Sequence, residues 1–181
     1  MRGAALHAAG SNRIAFEGPA AAAWSDAAAA ARALARVRIY VAALIVGVLE
    51  DATQFSRAYA QERVAFGQPI AHHQGLAFMI VDMFSAVEQA RLLVEDAART
   101  YDRGERCDME AGMAKLFATE AAVTVSLESM RIHGGYGFSQ EYLVERLYRD
   151  APLLILGEGT NEIQQLIIAR RLIELAGNSA A

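Results

Sequence analysis

One carboxylate in this 181-residue chain stands between two glycines: Glu158, in the stretch LLILGEGTNEIQ. Because neither neighbour has a side chain, a ligand can approach this carboxylate closely. The apolar run from Leu153 to Leu156 predicts partial desolvation, which favours the neutral acid, whereas a helix start at Thr160 favours the ionised form. An acid balanced in this way suits a general base that becomes stronger when substrate expels water.

Two further stretches have residue types that suit an anionic ligand with a ring. ERVAFGQPIAHHQ brings Arg63, Phe66 and Gln74 to a turn between helices. There a guanidinium could bind a phosphate, a ring could stack and an amide could pair with a ring edge. In RIHGGYGF, the glycines would let a backbone approach a diphosphate closely. Taken alone, each stretch also fits an ordinary turn, and His133 fits a packed loop histidine equally well.

Composition and charge limit the classes of function. Hydrophobic residues make up 54% of the chain and charged residues 21%, as in folded globular domains. A net charge of −4 gives no electrostatic basis for nucleic-acid binding. The single cysteine, Cys107, excludes a disulfide within the chain, and His72 and His73 would point about 100° apart on a helix, so we predict no metal site. The longest apolar run, Val41 to Leu49, is too short for the ~20 residues of a membrane span, and we expect a cytoplasmic protein.

The elements that must position these stretches are predicted to be helices. Their starts are expected at Ser25–Asp26, after Pro69, near Asp108 and at Thr160, with breaks at DRGER and HGGYGF. A shorter helical piece is expected around residues 141–150. The sequence therefore predicts an all-α fold, an antiparallel four-helix bundle.

Each long helix carries an apolar stripe that we expect to be buried. Apolar residues recur every three or four positions from Leu34 to Tyr59, from Leu76 to Ala97, from Leu116 to Met130 and from Ile163 to Ile173. Upstream of the first stripe, RIAFE (residues 13–17) alternates like a strand but has no partner strand. Residues 1–26 are therefore predicted to be a poorly structured segment or the remnant of a β domain, and residues 27–181 the helical bundle domain.

Four motifs occur in a specific order: ER-x-x-FG-x-PI, HGGYGF, YRD and EGTNEIQ. Together they resemble the C-terminal helical domain of the acyl-CoA dehydrogenases over roughly residues 27–176. The resemblance implies FAD as cofactor, an acyl-CoA thioester as substrate, electron-transfer flavoprotein as electron acceptor, and a homodimer or homotetramer. Such enzymes remove two hydrogens from Cα and Cβ of the thioester.

The resemblance also implies roles for single residues. Glu158 matches the base that takes the α-proton, Gly159 matches a residue that touches the thioacyl group, and Arg38 resembles an arginine near the base. Some family members place the base on the first helix, at a position that is Val37 here, so Glu158 has no rival.

The residues that the resemblance places against FAD are Arg63, Phe66, Gln74, Arg131, Gly134, Gly135, Thr160 and Glu162. The first three match residues that reach the FAD of a neighbouring subunit, and the glycine-rich stretch matches the one that lies along the ADP portion. The last two match contacts to the flavin in the same subunit.

The sequence contains no counterpart of the family's N-terminal helices or middle β domain, which supply much of the flavin site. This leaves several interpretations open. The chain could be the C-terminal part of an acyl-CoA dehydrogenase, as a fragment, a truncated gene product or a subunit completed by another chain. A non-catalytic helical oligomerisation module is a second interpretation. A relative with other chemistry, such as an acyl-CoA oxidase or nitroalkane oxidase-like flavoenzyme, is a third.

Overall fold

The computed structural model describes Ala15, Glu17, Gly18 and residues 26–178, and it confirms the all-α expectation. Two-residue strands β1 (Val64–Ala65) and β2 (Gln68–Pro69) form a small antiparallel hairpin. The strand predicted over RIAFE lies largely outside the described residues. The five helices are α1 (Ala27–Glu62), α2 (Gln74–Asp102), α3 (Asp108–His133), α4 (Leu143–Leu156) and α5 (Asn161–Asn178).

The predicted helix ends agree closely with the observed ones. Asp26 caps α1, where its Oδ1 accepts a hydrogen bond of 2.9 Å from the Ala29 backbone N–H. The α3 helix stops where the glycine-rich stretch begins, and that stretch forms a 3₁₀ helix, Gly134–Phe138. The shorter predicted piece is longer than expected, because α4 continues through Pro152 to Leu156. No helix within residues 26–178 combines the length and apolarity needed to cross a membrane.

Helix α3 is the centre of the bundle and packs against all four other helices. Its buried side chains are mostly small, which lets its neighbours approach closely on several sides. They include Ala111, Ala114, Ala118, Ala122, Ser126 and Ser129. Because α3 is buried on several faces, a single apolar stripe does not describe which of its residues are buried. Leu127, which belongs to the predicted stripe, is exposed.

The stripe predicted to be buried on α1 is largely on the wrong face. Leu44 is 55% exposed and Phe55 is 42% exposed, whereas Ile45 and Leu49 form the buried face with several alanines. The stripe of α2 is confirmed in its middle, where Met83, Val87 and Ala90 are buried. The buried face of α1 thus combines small residues with Ile45 and Leu49, whereas Leu44 and Phe55 lie outside the bundle.

The inward face predicted for α5 is also wrong. Ile163 and Leu166 are exposed, and Ile173 is 73% exposed. The helix packs mainly against α3, through the opposite face that carries Asn161 and Gln164. Its apolar face therefore has no cover within the described part of the chain.

Candidate functional site

The loop that joins α4 to α5 holds Glu158 in an unusual backbone conformation. Glu158 has a φ of +56° and Gly159 a φ of +90°. A left-handed conformation at a non-glycine residue costs on the order of 1–3 kcal/mol and often marks a functional position. Gly159 cannot be replaced without strain, because a Cβ atom there would lie 2.9 Å from Gln164 Nε2. The strain in this loop is offset by contacts beneath it.

Three buried side chains anchor the loop. Gln164 Nε2 donates a 3.0 Å hydrogen bond to the carbonyl of Gly159. Lys115 Nζ donates to the carbonyl of Ile155 at 2.9 Å and to Oδ1 of Asn161 at 2.8 Å. Sequence reasoning missed both Lys115 and Gln164, because one lysine in an alanine-rich helix has no pattern that reveals its burial.

The first turn of α5 forms as predicted. The Thr160 carbonyl accepts the first helical hydrogen bond, from the Gln164 N–H at 3.1 Å. The Thr160 hydroxyl donates to the carboxylate of Glu162 and lowers its pKa, and the backbone N–H of Glu162 acts in the same direction. Thr160 and Glu162, both predicted to contact flavin, therefore lie beside Glu158 at a helix N-terminus.

Arg38 lies on α1 next to this loop. Partial burial lowers its pKa, whereas the carboxylates of Asp108 and Glu158 raise it. Its Nε atom is buried and has no hydrogen-bond partner among the described residues. A half-buried guanidinium with an unused donor thus lies close enough to Glu158 to interact with it electrostatically.

The predicted desolvation of Glu158 is not found in this chain. Glu158 is exposed, and so are Leu153 and Leu156, the latter by 62%. The apolar run forms the last turns of α4, and these two leucines face away from the bundle. Water would be excluded from the carboxylate only if another surface covered this loop.

The hairpin after α1 carries the second group of predicted residues. Arg63 is exposed at the end of α1, and Gln74 is exposed at the first position of α2. Phe66 is 97% exposed and has a φ of +52°. His73 Nε2–H donates to the carbonyl of Ala65 at 3.1 Å, which fixes the hairpin against α2. A fully exposed aromatic ring on a strained backbone is typical of a contact surface.

His133 is a packed histidine beneath this hairpin. Its ring stacks on Tyr59 with a centroid distance of 4.3 Å, and its Nδ1–H donates to the Ser129 carbonyl at 2.8 Å. Burial lowers the pKa of His133, so its ring is neutral near pH 7. Tyr136 lies nearby, with the Arg63 guanidinium 5.7 Å from its ring centroid.

A cleft of about 740 Å³ opens between the hairpin and the glycine-rich stretch. Arg63 and Arg131 both line it. At Gly134 and Gly135 no atom lies within 4 Å of the position a Cβ would take, so their backbone is open to a ligand. Two guanidinium groups beside exposed backbone fit the charge and shape of a diphosphate. The described residues contain no cluster of three side chains suited to a metal ion.

The two groups of residues lie at opposite ends of α3. Lys115, beneath the Glu158 loop, and His133, beneath the cleft, are about 27 Å apart at 1.5 Å per helical residue. The structure therefore brings Arg38, Glu158, Gly159, Thr160 and Glu162 together at one end. It brings Arg63, Phe66, Gln74, Arg131, Gly134 and Gly135 towards the other end.

Comparison with known proteins gives a consistent result. Over residues 27–173 the chain matches the family described as "Acyl-CoA dehydrogenase, C-terminal domain". A protein called "Acyl-CoA dehydrogenase" from Bacillus subtilis (strain 168) is 48% identical over 136 residues, which cover 75% of this chain and 36% of the relative.

Solved structures agree with this match. Butyryl-CoA dehydrogenase from Megasphaera elsdenii is 38% identical with a TM-score of 0.77, over 79% of this chain and 38% of that chain. A structure described as "PigA with FAD and proline" is 32% identical with a TM-score of 0.75, over 77% of this chain and 36% of that one. The chain thus spans little more than a third of the length of these proteins.

Proposed function

Because the chain belongs to the acyl-CoA dehydrogenase family and matches its C-terminal domain, we propose that it takes part in FAD-dependent α,β-dehydrogenation of an acyl-CoA thioester. In this function Glu158 is the base that takes the α-proton. The chain contributes this base and part of the flavin contacts, and other domains or a companion chain contribute the rest.

The observation that carries this function is the anchored, left-handed conformation of Glu158. The loop keeps a strained glutamate at φ +56° beside the half-buried Arg38. A residue that served only to start α5 would not need this conformation, because Thr160 already supplies the first helical acceptor. Strain retained at one carboxylate supports a catalytic role for it.

The chemistry requires a base at Cα and a hydride acceptor at Cβ. The carboxylate of Glu158 takes the α-proton. FAD, when bound, would supply the acceptor for the hydride from Cβ, so that the two losses together leave a Cα=Cβ double bond. Gly159 leaves room for the thioacyl group beside the carboxylate. The guanidinium of Arg38 lies close enough to interact electrostatically with this carboxylate.

The distance between the two ends of the bundle suits two different flavins. Thr160 and Glu162 would contact the flavin whose substrate Glu158 serves. Arg63, Phe66 and Gln74, at the far end, would reach the FAD of a neighbouring subunit, with Arg131, Gly134 and Gly135 along its ADP portion. This arrangement needs a neighbouring subunit, which a homodimer, a homotetramer or a companion chain would supply. Electron-transfer flavoprotein is the expected electron acceptor.

A second candidate function is a non-catalytic oligomerisation module. It is favoured by the exposed apolar side chains on α1, α2 and α5, such as Leu44, Phe84 and Ile173. An acyl-CoA oxidase would share the base and differ in passing electrons to dioxygen. Oxygen consumption therefore distinguishes an oxidase from a dehydrogenase. The lack of flavin distinguishes the oligomerisation module from both enzymes.

The experiment combines an absorbance spectrum with size-exclusion chromatography of the purified chain. An oligomer with flavin bands would mean that this chain holds FAD unaided, whereas a colourless oligomer would mean that the bundle assembles but needs the remaining domains or a companion chain to complete the flavin site. In the flavin-containing protein, Glu158→Gln should slow exchange of the acyl-CoA α-proton in D₂O by about 10²–10⁴-fold while flavin content is unchanged.

The matched control for this substitution is Glu120→Gln, at an exposed glutamate on α3. It makes the same chemical change away from the loop and should leave the exchange rate unaltered. Retention of exchange in Glu158→Gln would remove Glu158 from the role of base.

A further inference from the structure

We propose that Lys115 is a positioning residue, which ties together the two ends of the loop that carries Glu158. This role rests on the proposed function of Glu158 as the base, and it names the residue that holds that base in its conformation. Among the described residues no hydrogen bond or ion pair joins Lys115 to the Glu158 carboxylate, so Lys115 acts through the two ends of the loop.

The geometry of the contact is specific. Lys115 lies on α3 and has 0% exposure. Its ammonium donates to the carbonyl of Ile155, in the last turn of α4, and to the side chain of Asn161, the first residue of α5. The loop with Glu158 runs between these two points. One ammonium group therefore fixes the distance between the helix end that precedes the base and the helix start that follows it.

A second side chain supports the same link. The Thr119 hydroxyl, one turn along α3, donates to the same oxygen of Asn161 at 3.0 Å. The side chain of Asn161 is thus held by two donors from α3. These contacts fix both the distance of the start of α5 from α3 and its orientation relative to α3.

The choice of lysine is costly unless its charge is used. Burying an ammonium group costs several kcal/mol, and apolar side chains of similar volume often give equal or greater stability at such positions. Lys115 forms no ion pair within 4.0 Å among the described residues. A positive charge at the C-terminal end of α4 interacts favourably with its last carbonyls. What the lysine adds beyond packing is the link between α4 and α5.

The charged groups around Lys115 couple it to the base. Burial lowers the pKa of Lys115, the carboxylate of Glu162 raises it, Arg38 lowers it and the carboxylate of Glu158 raises it. A change of charge at Glu158 should therefore be felt at Lys115, and the effect must be reciprocal. A side chain that served only to fill space would show no such coupling.

The first test measures hydrogen exchange in the full chain. Lys115→Met keeps the volume and removes the donors. We expect amide exchange within residues 157–161 to rise about tenfold or more relative to the amides of α2, because charged hydrogen bonds to both loop ends are lost. An equal rise in every helix, or no rise in the loop, would contradict the positioning role.

The control is Ser129→Ala, which removes a buried hydrogen bond between α3 and α1 at the other end of the bundle. It should lower stability and leave the ratio of loop to α2 exchange unchanged. A selective rise in the loop with this variant would show that any loss of stability opens it, and would also overturn the role of Lys115.

The second test keeps Lys115 in place, so it does not depend on how well a Lys115 variant folds. The Lys115 titration is followed by NMR at its Cε carbon, in the wild type, in Glu158→Gln and in the control Glu120→Gln. We expect the midpoint to move to lower pH in Glu158→Gln alone, since one neighbouring carboxylate is lost. Equal midpoints in all three proteins would overturn the coupling.

Neither test requires flavin or substrate. A flavin-containing protein that passes both tests but shows no α-proton exchange would contradict the proposed function, while the link between Lys115 and the loop would stand. A chain that catalyses exchange but fails both tests would contradict only the role of Lys115.

Discussion

The two ends of the bundle are built on different principles. At the Glu158 end, the buried polar groups of Lys115, Asn161 and Gln164 hold a single loop from below. At the cleft end, stacked rings and glycines form a wide surface on which Phe66 and Arg63 are exposed. The loop of the proposed base is held by hydrogen bonds within its own chain. The residues proposed to bind along an extended ligand are instead exposed to solvent.

The packing of the cleft end depends on one close backbone contact. Gly137 lies in the 3₁₀ helix, and a Cβ atom there would collide with the Met130 carbonyl and lie 2.9 Å from Met130 Cα. Hydrogen-bonding side chains have no comparable part in fixing this turn. We therefore expect added side-chain bulk to destabilise the cleft end, and loss of hydrogen-bond partners to destabilise the Glu158 end.

The largest effect is expected for Gly137→Ala. Because the added methyl group meets backbone atoms, which cannot rotate away, the free energy of unfolding should fall by about 3 kcal/mol. Urea unfolding followed by circular dichroism measures this change. Gly135→Ala is the matched control, since nothing lies near its Cβ position, and it should change stability by less than about 0.5 kcal/mol. Equal effects of the two variants would contradict a sterically fixed turn.

A smaller effect is expected in the pH dependence of stability, through the buried ring of His133 beneath the cleft. Burial lowers the pKa of His133 below its ordinary value of 6.5, so the unfolded chain binds a proton at a higher pH than the native one. The contribution of His133 to stability is therefore complete above about pH 6.5 and is lost as pH falls towards the folded pKa. Its slope cannot exceed about 1.4 kcal/mol per pH unit.

The measurement is the difference in free energy of unfolding between the wild type and His133→Phe across this range. The difference should change below pH 6.5, because Phe keeps the contact with Tyr59 and does not titrate. His72→Gln, at an exposed histidine, is the control and should follow the wild-type pH dependence. A parallel course for His133→Phe and the wild type would mean that the ring is not desolvated.

The smallest effect on stability is expected for Arg63→Gln. Arg63 is exposed and its guanidinium lies 5.7 Å from the ring centroid of Tyr136, so the free energy of unfolding should change by less than about 0.5 kcal/mol. Flavin content of the oligomer should nevertheless fall, because a guanidinium is lost from the cleft. The control Arg57→Gln, at an exposed position on α1, should alter neither the free energy of unfolding nor the flavin content. A large loss of stability would show that the hairpin is structural and would weaken the comparison.

Local signals in the sequence predicted the helix boundaries well. Asp26 as a cap, the break before Asp108 and the glycines after His133 act through hydrogen bonds and backbone angles of neighbouring residues. Such effects do not depend on the rest of the fold. The position of the Glu158 loop before α5 could be predicted for the same reason.

Burial could not be predicted in this way. Periodicity shows that a helix has an apolar face, but not which neighbour covers it, and on α1 several residues of the predicted stripe, such as Leu44 and Phe55, are exposed. Because α3 is surrounded, it has no single stripe, and a lysine within it gives no signal of its burial. The exposure of Glu158 likewise depends on surfaces that meet the loop in space.

The uncovered apolar side chains have a consequence for the cell. Exposed leucines, isoleucines and phenylalanines on α1, α2 and α5 are features that chaperones and proteases recognise in unassembled proteins. We therefore expect rapid turnover of the chain when it is produced at high level without a surface that covers these side chains.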